Sequence, residues 1–374
     1  MRVVVSPDKF KGCLTAAQVT DAVANGLLDE RPDLQITRLP VADGGDGTVA
    51  AALSRGFDEV TMSAAGPTGV TGQVSYARQG QRAVIELAAI CGLDRLPNGR
   101  PDALGASTYG LGEVIGHAIG HGAREVVLGI GGSASTDGGA GMAQALGARL
   151  LDASGAELAH GGAALRSLDL LDVAGLRERM AGVRVLVASD VDNPLLGPRG
   201  AAAVFGPQKG ASPDDVRLLE DGLTRWAGVV KAAVVDHDYA DHPGAGAAGG
   251  TGFAALALLD AELRSGIELI LGLLRFDEAV AGADLVVTGE GSLDEQSLAG
   301  KAPIGVAQAA AGVGVEVVAV AGRTQLSPDR LRAAGIKAAY PLSDLEPDPA
   351  RSIANAAALL RQVGRIIAVE QLAP

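Results

Sequence analysis

Short apolar runs alternate along this chain with stretches whose apolar residues recur at helical spacing. Val3 to Val5 reads as a buried strand, and Thr15 is placed to cap a helix to about Leu28, with Val19, Val23 and Leu27 on one face. Ile36 to Val41 is a second strand, and Val49 to Leu53 starts a second helix. This βαβα order predicts a parallel sheet with helices on its faces. From about Val60 the texture changes: Thr, Val and Tyr alternate with polar residues and turn-forming glycines, the pattern of antiparallel strands. Ser107 to His121 then reads as a helix, Val126 to Ile130 as a strand, and Ala140 to Leu146 as a helix start. Val183 to Ala188 is a further strand, and Ser212-Pro213-Asp214-Asp215 opens a helix with proline at its first position. Asp284 to Thr288, Val315 to Ala321 and Ala338 to Leu342 return to the buried-strand pattern, before a helix from about Ser352 to Arg361. The tail thus resembles the head. The predicted class is α/β in two domains: a parallel-sheet domain built from both chain ends, residues 1–60 and 281–374, with a mixed α/β domain inserted at 61–280.

Most of these strands end in a turn that holds a carboxylate. Asp8 follows the first strand, Asp43 with Asp46 the second, Asp137 the strand at Val126, Asp190 with Asp192 the strand at Val183, and Glu290 with Asp294 the strand at Asp284. Ligands of open parallel sheets bind outside the carboxyl ends of the strands. Acids there suit a Mg²⁺ site and a general base, and Lys9, Lys11, Lys209, Lys301 and Arg323 stand near them in sequence. Carboxylates, cations and glycine turns together are the parts of phosphoryl transfer. Taken singly, each acid also reads as a turn former or helix cap.

The densest of these turns is Gly131-Gly132-Ser133-Ala134-Ser135-Thr136-Asp137-Gly138-Gly139. Glycines let backbone N–H groups approach an anion, and a following helix adds its positive end. Asp137 is at odds with a pure anion cradle unless it holds a cation or takes a proton; the alternative is a tight βα turn with Asp137 as the helix cap.

Composition narrows the field. Only 3% of the chain is aromatic, so Ala, Val and Leu must build the core, and the 53 glycines cluster at the ends of apolar runs. A net charge of −13 argues against nucleic acid or an anionic membrane as the main partner. Cys13 and Cys91 form neither a metal motif nor a disulfide framework, which points to the cytoplasm. The apolar run Pro243 to Leu259 is crowded with glycine and falls short of the ~20 residues of a membrane span.

Several signatures are missing. Gly300-Lys301 is followed by Ala302, so no Walker sequence exists, and the protein-kinase set is absent. Gly244, Gly246 and Gly249 match a dinucleotide fingerprint by count, but no strand precedes them. Trp226 reads as packing.

Six stretches carry a resemblance: SPDKFKGCLTA, PVADGGDGT, GIGGSASTDGGAGMAQALG, SDVDNPLLGPRGAAAVFGPQKGA, PGAGAAGGTGF and ADLVVTGEGSLDEQSLAGKAPIGVA. In this order, and over essentially the whole chain, they resemble the bacterial glycerate kinase family. The resemblance implies ATP-dependent, Mg²⁺-assisted phosphorylation of D-glycerate by two α/β domains, one Rossmann-like and one inserted. Chemistry then suggests roles. Asp190 is the first choice for the base that takes the hydroxyl proton, with Asp192 or Asp137 as Mg²⁺ ligand and Asp137 and Lys9 as further catalytic candidates. Lys9, Lys209 and Gly131-Gly132-Ser133 are candidates for the glycerate carboxylate. Asp8, Lys11, Asp43, Glu290, Asp294 and Lys301 complete the substrate- and phosphate-binding set. The partners are a small acid and a nucleotide, with a homodimer left open and no nucleic acid or membrane. A non-catalytic sensor of a phosphorylated acid and an NAD-linked oxidoreductase are the alternatives, and 2-phosphoglycerate is favoured over the 3-phosphate as product.

Overall fold

The structure, a computed structural model, describes residues 1–234 and 238–372. In chain order its strands begin with β1 (Arg2–Val5) and β2 (Gln35–Arg38). There follow β3 (Asp58–Ala65), β4 (Thr71–Gln79), β5 (Arg82–Glu86), β6 (Glu125–Gly129), β7 (Arg149–Leu151), β8 (Leu170–Asp172), β9 (Arg184–Ala188) and β10 (Glu262–Arg264). The last three are β11 (Leu285–Leu293), β12 (Val317–Thr324) and β13 (Ala338–Pro341). The protein is α/β, and its backbone groups into two units: residues 1–43, 50–55 and 265–374, and residues 44–49 and 56–264.

The first unit holds a five-stranded parallel sheet in the order β13-β12-β11-β1-β2. β1 is an interior strand, and its Val3, Val4 and Val5 are buried on both faces, which explains the unbroken apolar run. The chain leaves β1 in one direction to β2 and returns on its other side through β11, so the strand order switches between β1 and β11. The helix Ala16–Glu30 opens with the Thr15–Gln18 capping box, as its sequence predicts. It lies against the terminal helix Ala356–Gln371 so closely that a Cβ on Gly26 would strike the carbonyl oxygen of Arg361.

Three boundaries differ from the sequence pattern. β2 stops at Arg38, because Pro40 has no N–H to continue the ladder, although Leu39 and Val41 still donate to the carbonyls of Val5 and Pro7. β11 runs through Gly289, Glu290 and Gly291 to Leu293, where a turn is predicted, since its ladder with β12 continues to Leu293 beside Thr324. The terminal helix extends past Arg361 to Gln371, its Val363, Ile367 and Ala368 buried along one stripe.

The second unit has a six-stranded sheet in the order β10-β9-β6-β5-β4-β3. β3, β4 and β5 are antiparallel neighbours; β5, β6, β9 and β10 run parallel. β7 and β8 form a separate antiparallel pair that the sequence pattern does not reveal. The 22-residue helix Pro213–Val234 buries Trp226 fully, and the indole N–H donates to the carbonyl of Gly138 at 3.0 Å.

Candidate active site

The first unit gathers its acids at the carboxyl ends of β2, β1 and β11. Asp8 lies just past β1, where its N–H bonds the carbonyl of Gly289 on β11 at 2.8 Å. The switch point thus carries Asp8 just past one strand and Glu290 within the next. Lys9 Nζ stands 3.5 Å from Asp8 Oδ1 and 3.8 Å from Asp43 Oδ1. Burial pushes the Asp8 carboxyl up to about 7 against the pull of Lys9, and the Asp43 and Glu290 carboxylates push the same way as burial. Burial also raises the Glu290 carboxyl, partly offset by Ser297 and Lys301, while Asp294 and Asp43 add to the rise. The Oε1 of Glu290 is buried without a hydrogen-bond partner. Asp8, Lys9, Asp43, Glu290, Asp294 and Lys301 therefore form one electrostatic cluster. Lys11 stays exposed in the turn before Gly12. Among the described residues, no group of three or more His, Cys, Asp or Glu side chains is placed to hold a metal ion.

In the second unit the turn after β6 opens at Gly131 and Gly132 and closes at Ser133, which is buried. Gly132 has φ +76°, a conformation that glycine adopts without strain. Ser133 Oγ and Ser135 Oγ are 3.2 Å apart, and the Ser135 N–H donates to Ser133 Oγ at 3.2 Å, so the serines bind the turn to itself.

Asp137 has no exposed surface. One carboxylate oxygen accepts from the Thr108 N–H and Thr108 Oγ1, both at 2.8 Å, and from Ser107 Oγ and the Gly141 N–H at 3.2 Å. The other accepts the Gly139 N–H at 3.2 Å. With five donors on a fully buried carboxylate, Asp137 holds the turn in this structure.

Lys209 is also buried, and its Nζ donates to the backbone carbonyl of Ser135. A Cβ on Gly249 would come within 2.8 Å of that Nζ, so the second glycine cluster closes over the ammonium. Burial draws the Lys209 ammonium down to about 8, with Asp137 opposing. In this structure the buried ammonium braces the Ser135 carbonyl beside Gly249.

Asp190 is exposed just beyond the end of β9. Asp192, two residues on, is exposed, and both its oxygens accept from Arg199 Nη2 at 3.2 Å. The stretch is held from behind: Asn193 Nδ2 donates to the Arg199 carbonyl at 2.7 Å, and the Gly197 N–H donates to Glu220 at 2.6 Å.

Sequence reasoning missed one acid of the same kind. Glu86 ends β5, is 5% exposed, and accepts the N–H groups of Gly47 and Val49 at 3.1 and 3.2 Å. It carries the signature that picked out the others, a carboxylate closing the apolar run Ala83-Val84-Ile85. It was hidden by reading the whole stretch from Val60 as antiparallel, whereas β5 pairs in parallel with β6.

The comparisons with known proteins agree over nearly the whole chain. The sequence profile of the Glycerate kinase family matches residues 3–371. The chain is 43% identical to a glycerate kinase of Bacillus subtilis over 91% of its length and 90% of that protein's. It is 44% identical to a glycerate 2-kinase of Escherichia coli, with 86% and 85% covered. In three dimensions it is similar to a crystal structure from Salmonella typhimurium LT2, of a protein described as a glycerate kinase 2. The TM-score is 0.86 and the identity 40%, over 99% of this chain and 97% of that one. No helix among the described residues is long and apolar enough to cross a membrane. The chain therefore belongs to the glycerate kinase family of enzymes.

Proposed function

We propose that this protein transfers the γ-phosphoryl group of ATP to the 2-hydroxyl of D-glycerate, giving 2-phosphoglycerate and ADP. The observation that carries the reading is the family match over residues 3–371 together with relatives above 40% identity, one of them named a glycerate 2-kinase. The acids at the strand ends supply chemistry consistent with it.

One hydroxyl of glycerate must lose a proton as it attacks phosphorus in line with the leaving oxygen. Asp190, exposed at the end of β9, is the group we assign to take it. The turn at Gly132, which is exposed, gives a backbone N–H for an anionic ligand, and Asp137 and Lys209 keep that turn in shape. Asp8 is a second candidate base, because its carboxyl sits near 7 and so exchanges a proton readily at neutral pH.

The cluster of the first unit fits Mg²⁺ by donor type. Its ligands are hard carboxylate oxygens, one of which, Glu290 Oε1, is buried and without a partner. Asp43 and Glu290 are the residues we assign to it, since Mg²⁺ takes one or two carboxylates together with substrate phosphates. Bound there, the ion would neutralise charge developing on the nucleotide phosphates. Lys9 and Lys301 add positive charge to the same cluster for the nucleotide.

ADP release from ATP and Mg²⁺, measured with and without D-glycerate, tests the proposal. Release that depends on glycerate supports it. Binding of a phosphorylated acid with no turnover would favour the sensor instead.

A further inference from the structure

The backbone of Gly44–Val49 groups with the second unit, although the residues before it, up to Asp43, and after it, Ala50 to Arg55, group with the first. This short segment rests on the carboxyl ends of β5 and β6. A Cβ on Gly129 would meet the carbonyl oxygen of Gly44 at 2.7 Å, and one on Gly131 would meet the Cα of Gly45 at 2.8 Å. Both strand-end glycines are therefore needed for the segment to lie where it does. Thr48, fully buried, donates from Oγ1 to the Gly45 carbonyl at 2.7 Å and folds the segment on itself. Glu86 accepts two of its N–H groups from the neighbouring strand. In the ladder Glu86 is the partner of Gly129, so the carboxylate and the close glycine contact address the same segment from adjacent strands.

We propose that Glu86 is a positioning residue of the phosphoryl transfer. It touches no reacting atom. It anchors Gly44–Val49 against Gly131, and so fixes the glycine turn after β6. A buried carboxylate suits this better than a neutral group, because it accepts two backbone donors with full charge on a segment that has few side chains of its own to pack. Reaction rates are sensitive to such placement: a displacement of about 1 Å remote from the chemistry costs about 10²-fold. The inference rests on the kinase reading above.

The test is a set of variants made in the full chain: Glu86→Ala, Glu86→Gln, Gly129→Ala and the double variant Glu86→Ala/Gly129→Ala. Amide exchange at Gly47 and Val49 is read without substrates, and kcat and KM for glycerate and ATP are read with them. Glu86→Ala should speed exchange at both amides and lower kcat/KM by about 10²-fold, and Glu86→Gln, which keeps an acceptor oxygen, should recover most of that loss. Gly129→Ala displaces the same segment from the other side, so the double variant should lose little more than the worse single one. Fully multiplicative losses, or a folded Glu86→Ala enzyme with kcat/KM within about threefold of the parent, would overturn the assignment. If Glu86→Ala fails to fold, Glu86→Gln and Gly129→Ala carry the comparison. A parent enzyme without glycerate-dependent turnover would instead contradict the kinase reading.

Discussion

Thr108 gives both its amide and its hydroxyl to a single oxygen of Asp137, each at 2.8 Å. The hydroxyl in turn accepts the Met142 N–H at 2.9 Å. The threonine thus joins the turn after β6, the helix after it (Ala140–Ala145) and the start of the helix Tyr109–Gly120. Asp137→Asn would point an amide N–H₂ at a group of donors. We predict a loss of about 2–4 kcal/mol in unfolding free energy, since a buried network bonded to a charge is broken. Urea denaturation checks it. A variant of parental stability that has lost only activity would show that Asp137 serves the reaction after all.

Asp8 sets a pH dependence. Its carboxyl is raised by burial from the ordinary 3.8 to about 7 in the folded protein. Between those values the folded state holds a proton that the unfolded chain has released. Stability from this group is therefore greatest at low pH and declines as pH rises from about 4 to 7, by on the order of 4 kcal/mol in total. Asp8→Asn should flatten that part of the profile. Urea midpoints at pH 5 and pH 8 measure the effect. A parent-to-variant difference that is the same at both pH values would contradict the raised carboxyl.

The fold and the site were not equally legible in the sequence. The strands at Val3, Val126 and Val183 announced themselves because most of their apolar residues are buried on both faces, and such short apolar runs have few other uses. The acids closing those runs were visible for the same reason. The local pattern could not say which acids face solvent and which are consumed by the fold. Asp137 and Asp190 both follow buried strands, yet one is sealed among five donors and the other is exposed. That difference is made by Ser107 and Thr108, about thirty residues away in sequence. Lys209 is a similar case: its glycine-rich context suggests a ligand, and the sequence does not reveal its bond to the carbonyl of Ser135. Glu86 was missed because its strand pairs antiparallel on one side and parallel on the other, and alternation describes only the first.

Gly132 tests whether the turn after β6 binds a ligand. Its φ of +76° penalises any side chain, and a Cβ there would lie 3.1 Å from that of Ala88. Gly132→Ala should cost about 1–2 kcal/mol of stability. If the N–H groups cradle an anion, it should also raise KM for glycerate or ATP well beyond what that loss explains. Circular dichroism and steady-state kinetics separate the two effects. A folded variant with parental kcat/KM would leave the turn a purely structural feature.

Asp190→Asn separates the candidate roles of that side chain. As general base, its loss should cost about 10²–10⁴ in kcat with little change in KM for glycerate. A loss recovered at high Mg²⁺ would mark it as a metal ligand instead. A kcat within about twofold of the parent, at every Mg²⁺ concentration, would transfer the base to Asp8.

The identity of the product tests the central claim most directly. Protein, D-glycerate, ATP and Mg²⁺ are incubated with enolase and the pyruvate-forming couple, without phosphoglycerate mutase. Transfer to the 2-hydroxyl predicts an immediate signal in step with ADP release. A signal that appears only after mutase is added would mean that the 3-hydroxyl is the acceptor, and no ADP formed from ATP and glycerate when the couple, which regenerates ATP, is left out would contradict the assigned reaction itself.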